Sequence, residues 1–146
     1  MIVVEKLNDS SWVKIEDHSL ARLILVTLGD SDNKSILDAV LDQSRIISDI
    51  LEICKIPQTS GYRKIKSMIE NDILITDGFI NTPDGKKVNR YRSIFQNVRI
   101  GIKKNSVIVE IKITRELLER LDKLSKFEYV RLKLSLQENY LERGMQ

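Results

Sequence analysis

From Ser19 to about residue 71 the apolar residues of this chain recur with a helical spacing, and the spacing then switches to two. The first apolar block, Ser19–Leu28, is interrupted only by Ser19, Arg22 and Thr27. A helix so uniformly apolar is predicted to be buried or to sit in a subunit interface. Gly29-Asp30-Ser31-Asp32 reads as a stop followed by capping residues, after which Ile36, Leu37, Val40 and Leu41 fall on one helical face. Ser44 is predicted to open a third helix with Ile46, Ile47, Ile50, Leu51 and Cys54 inward, closed by Lys55-Ile56-Pro57. A fourth helix is predicted from about Pro57 to Asn71. At 100° per residue, Gly61, Ile65, Met68 and Ile69 share one side, while Thr59, Ser60, Arg63, Lys66 and Ser67 share the other.

Beyond that helix, Leu74–Ile80 and Val88–Ile94 read as strands joined by a turn containing Pro83-Asp84-Gly85, with Lys86 and Lys87 directly after its tip. A second hairpin is predicted from Val98–Ile102 and Val107–Ile113, turning at Lys104-Asn105. Thr114 then caps a Leu-rich helix carrying Leu117, Leu118, Leu121 and Leu124. Val130, Leu132, Leu134 and Leu136 alternate like a strand, yet leucine favours helix, and residues 127–136 are read as helix. Met1–Glu16 alternates loosely and reads as a short strand or an extended arm.

Composition narrows the function classes. The 146 residues are 42% hydrophobic and 31% charged, which fits one domain with a real core, and helices followed by two hairpins make its expected class α+β. No apolar run reaches a membrane span, and Met1–Lys6 lacks the character of a secretory signal, so a cytoplasmic protein without membrane contact is expected. A single cysteine, Cys54, and a single histidine, His18, cannot build a thiolate-rich zinc site. No phosphate-binding loop, nucleophile elbow or zinc-protease motif is present, so no enzyme, metal or cofactor is expected.

Charge is unevenly placed. The whole chain has a formal net charge of +3, but residues 57–104 hold ten Lys and Arg against four acids. That block is therefore +6 and the remainder −3. A basic block between mildly acidic flanks is the footprint of a nucleic-acid contact, although a merely solvated face gives the same count.

Helix, helix, short turn, helix and a hairpin with a basic tip is the order of a winged helix-turn-helix. The stretch from Arg45 to Ile65, with Ile36-Leu37 ahead of it and the wing ending Arg90-Tyr91-Arg92, resembles the helix-turn-helix of ArsR-like transcriptional regulators. The resemblance covers roughly residues 20–95, and the closing hairpin and Leu-rich helix are similar to archaeal members. It implies a winged-helix fold, double-stranded DNA as partner and a homodimer. Two features depart from the pattern. Asp72 stands where the family commonly has a glycine after the recognition helix. Ile47, Ser48, Asp49, Ile50 and Leu51 occupy the stretch that holds the cysteine cluster of metal-sensing members, so the metal chemistry does not carry over.

The expected organisation is an N-terminal arm (1–17), a winged helix-turn-helix (18–95) and a hairpin with a C-terminal helical dimerisation segment (96–146). The expected DNA contacts are Gln58, Thr59, Ser60, Tyr62, Arg63, Lys64 and Lys66 on the fourth helix, with Lys86, Lys87 and Arg90 on the wing. Within the wing, one arginine is free to serve only as a brace of the hairpin. Tyr62 is as well suited to partial burial as to DNA. Gly61 is best read as allowing close helix packing, Cys54 as a buried inert thiol, His18 as a helix-start residue and Trp12 as a packing anchor. Dimerisation is expected through Ser19–Leu28 and the Leu-rich helix. The alternative is a winged-helix protein-interaction module that does not read DNA.

Overall fold

The computed structural model describes residues 6–7 and 10–114. The fold is α+β. In chain order the elements are β1 (Lys6–Leu7), β2 (Ser10–Lys14), α1 (His18–Leu28), α2 (Ser31–Ala39), α3 (Ile47–Cys54), α4 (Gln58–Glu70), β3 (Leu74–Asn81), β4 (Lys87–Ser93), β5 (Asn97–Lys103) and β6 (Ser106–Thr114). The described residues up to Ala21, together with those from Phe95 onward, form one compact unit, and Arg22–Ile94 form another. The Leu-rich helix after Thr114 and the helix over 127–136, both expected from sequence, lie outside the described residues.

The first unit is built on an antiparallel sheet of order β1-β2-β6-β5. The β5–β6 hairpin turns at Lys104 and Asn105 as expected, and both residues are left-handed (φ 48° and 68°). A turn with two such residues matches the right-handed twist of the strands it joins. Of the two readings of Met1–Glu16, a short strand or an extended arm, residues 10–14 take the first, as a strand inside this sheet: β2 pairs with β6, with Trp12 opposite Lys112 and Val13 opposite Ile111. Residues 10–14 and 97–114, which the sequence separated into different segments, thus share one core. Val13, Val109, Ile111 and Ile113 are buried on a common face.

The second unit surrounds a core of Ile24, Ile36, Val40, Ile50, Ile65, Ile73 and Ile94. Asp30 caps α2 by accepting from the backbone N–H groups of Asp32 (2.9 Å) and Asn33 (3.1 Å). That satisfies two of the donors a helix start leaves open. Ser44 does not open α3. The backbone of Arg45 instead pairs with Tyr91 in β4, its N–H donating at 3.0 Å and its carbonyl accepting at 2.8 Å, so the helix waits until Ile47. Helix α1 is less uniformly buried than its composition predicts: Ile24 and Thr27 are enclosed, yet Val26 is 66% exposed.

Between α3 and α4, Lys55 takes a left-handed conformation (φ 54°) and Ile56 turns inward. Asp72, in the place of the expected glycine, is itself left-handed (φ 59°), a state aspartate tolerates better than most residues. The β3–β4 hairpin that follows is a separate two-stranded ribbon.

Candidate nucleic-acid interface

Helix α4 sorts its residues as the 3.6-residue period requires. Gly61, Ile65 and Met68 are buried, while Gln58, Thr59, Tyr62, Arg63 and Lys66 face solvent. Gly61 fixes how closely α4 lies on α3: a Cβ built there would stand 2.3 Å from Leu51 Cδ2 and 2.9 Å from Ile56 Cγ2. A methyl there would force the Leu51 side chain to shift. Tyr62 is 53% exposed, on the same open side as Arg63 and Lys66. Ser60 is half-buried, and its hydroxyl donates back to the Pro57 carbonyl at 3.4 Å. No side chain caps the start of α4.

Lys64 is not part of this open face. Its ammonium sits 2.8 Å from Asp32 Oδ2 and 3.0 Å from Asp30 Oδ2, tying α4 to the start of α2. The hydrogen bonds to Asp32 and then Asp30 push the Lys64 amine above its ordinary value. The Lys64 hydrogen bond, followed by the Asn33 backbone N–H, pulls the Asp30 carboxyl below its own. The sequence placed Lys64 among the DNA contacts because its partners lie on another helix, outside any local pattern.

The pH dependence follows in sign. A carboxyl whose folded value is lowered stabilises above the ordinary 3.8 and loses that contribution as pH falls through its lowered value. An amine whose folded value is raised stabilises below 10.5 and loses its contribution as pH rises through its raised value. Lys64→Met is therefore expected to lower Tm between those limits and to shrink the acid and alkaline losses. Thermal melts across pH check both.

The wing divides its cations as well. Gly85 is left-handed (φ 84°) at the tip, where its N–H donates to the Thr82 carbonyl at 2.9 Å. Lys86 is exposed, with no ion pair among the described residues. Lys87 is exposed too, its ammonium 4.3 Å from the centre of the Phe79 ring. Arg90, expected on DNA, is half-buried: its Nε is enclosed without a hydrogen-bond partner, as is that of Arg92. A bulge sets Asp77 and Gly78 against Arg90, and the Arg90 guanidinium packs over Gly78 so closely that a Cβ there would meet Nη2 at 2.6 Å. Arg90 braces the ribbon. The signal for it was Gly78, since an isolated glycine inside a strand pattern marks a bulge or a close approach.

The remaining candidates behave simply. Cys54 is a half-buried free thiol, and burial, with smaller effects from Asp38 and Asp32, raises its pKa. At neutral pH such a thiol is protonated and a poor nucleophile or metal ligand. His18 is exposed at the first position of α1. Among the described residues no three His, Cys, Asp or Glu side chains gather as a metal site. No helix among them is long and apolar enough to cross a membrane.

The resulting class is an α+β protein whose second unit presents a solvent-facing helix row (Gln58, Thr59, Tyr62, Arg63, Lys66) and a ribbon tipped by two lysines. Neither a family model, nor a curated protein, nor a solved structure matches the chain.

Proposed function

We propose that Arg22–Ile94 is a winged helix-turn-helix and that the protein is a sequence-specific, DNA-binding transcriptional regulator acting as a homodimer in the cytoplasm. The observation that carries this reading is the division of α4. One side is anchored on α3 through Gly61, and the opposite side offers Thr59, Arg63 and Lys66 with no competing intramolecular partner among the described residues. A helix anchored in this way offers hydroxyls and cations on its free side, and in helix-turn-helix docking such a side enters the major groove, where arginine can meet guanine through two parallel hydrogen bonds. Lys86 and Lys87 on the turn act as point charges for the sugar-phosphate backbone. Exposed Val26 on α1 supports an interface between two copies.

A second reading, a winged-helix module that binds protein, is favoured by the exposed apolar surface on the ribbon, where Phe79 is 48% and Ile80 38% exposed. One experiment separates the two. A preferred duplex is selected from genomic fragments, and binding is measured on it and on a scrambled copy. Arg63→Ala is expected to lose ~1–3 kcal/mol on the preferred duplex and to relax discrimination at one base position. Lys86→Ala with Lys87→Ala should weaken both duplexes equally and flatten the salt slope. No duplex binding at low salt would favour the protein-interaction module. Loss of specificity in the wing variant alone would exchange the roles of the two elements.

A further inference from the structure

The sheet of the first unit has two faces of opposite chemistry. Strand side chains alternate, so burial of Val13, Val109 and Ile111 on one face sends Trp12, Lys14, Arg99, Lys103, Glu110 and Lys112 to the other. The register sets these residues side by side: Trp12 opposite Lys112, and both Lys14 and Arg99 opposite Glu110. The Arg99 guanidinium lies 3.8 Å from the centre of the Trp12 ring, and the Lys112 ammonium lies 6.0 Å from it. Arg99 also reaches Glu110 at 3.2 Å.

Glu110 is the one acid on this face of β2, β6 and β5, against four cations. Lys14, Lys103 and Lys112 carry no ion pair among the described residues. The face is open along its β5 edge, where Arg99 and Lys103 are exposed and a Cβ at Gly101 would meet nothing within 4 Å, while Trp12, Lys14 and Lys112 are half-buried. A solvated sheet face needs only mixed polar residues to stay soluble. An excess of one sign around a tryptophan carries self-repulsion that solubility does not require.

We propose that this face of β2, β6 and β5 binds single-stranded nucleic acid, with a base stacked on the Arg99–Trp12 pair and phosphates against Lys14, Lys103 and Lys112. Unpaired bases stack on aromatic rings and on guanidinium planes, and the backbone that links them follows a basic surface. An acidic peptide would satisfy the lysines but offer nothing flat to Arg99 and Trp12. Its residues belong to the first unit and those of the α4 and wing contacts to the second, and the proposal does not rest on those contacts.

Trp12 is the single tryptophan of the chain, so intrinsic fluorescence reports on this face directly. An oligothymidylate or oligouridylate of about a dozen nucleotides is expected to quench Trp12 emission at about 50 mM salt. With three or four phosphates neutralised, affinity should fall by ~20–50-fold between about 50 and 200 mM salt. Lys14→Ala with Lys112→Ala should reduce the log–log salt slope by about 1.4. Arg63→Ala with Lys66→Ala should leave the quench intact, so failure of the α4 contacts and failure of this face are told apart. Three results overturn the proposal: no change in Trp12 emission with either oligonucleotide, an equal response to polyglutamate of matched charge, or the same quench at lower concentration of duplex.

Discussion

Raising the salt from about 50 to 200 mM is expected to weaken duplex binding by ~10⁴-fold if two copies bind together. The figure comes from the cations the structure leaves available. Arg63 and Lys66 on α4 and Lys86 and Lys87 at the ribbon tip are exposed. Lys64 is held by Asp30 and Asp32, and Arg90 is folded over Gly78. Four contacts per copy give eight per dimer and a log–log slope of about −7 at ~0.9 per phosphate. A single copy would give a slope near −3.6 and a loss of only ~10²-fold. Were Lys64 and Arg90 also on DNA, a dimer would approach a slope of about −11. One titration therefore reads both the number of copies and the contact set, and a flat response removes duplex DNA as the partner.

The parts of the fold and of this interface that were legible in the sequence are those written locally. The two sides of α4 follow from helical spacing alone, and the turn at Lys104-Asn105 and the cap at Asp30 follow from residue chemistry at fixed positions. Asp72, where the resemblance led to the expectation of a glycine after α4, adopts the left-handed conformation itself. What escaped was set by distant partners. Lys64 reads as a surface cation until α2 brings Asp30 and Asp32 beside it. For residues 10–14 the strand was one of two readings, but not its pairing, because the partner strand, Ser106–Thr114, lies at the far end of the described chain. The start of α3 was misplaced for the same reason: the backbone groups of Arg45 are claimed by Tyr91, which no nearby residue announces.

The largest stability effect is expected at the buried side of α4, and it tests whether fold and contact face can be altered separately. Ile65 is fully buried (0% exposed), so Ile65→Ala removes apolar contacts and leaves a cavity, for a loss of ~2–5 kcal/mol. In a domain of ordinary marginal stability that is a large share of ~5–15 kcal/mol. Gly61→Ala is the sharper case because two effects oppose. Alanine is preferred to glycine inside a helix by ~1 kcal/mol. Its methyl would stand 2.3 Å from Leu51 Cδ2, inside a packed contact, where overpacking costs ~1–3 kcal/mol. Leu51 and Ile56 are both 8% exposed and have little room to retreat, so the net result should be destabilising. Lys66→Ala, on the exposed side, should change stability by no more than ~0.5 kcal/mol while weakening duplex binding. Urea unfolding of the three variants gives the comparison. If Gly61→Ala raises the midpoint instead, α3 and α4 yield at Leu51, and the close contact is not what holds the α4 face in place.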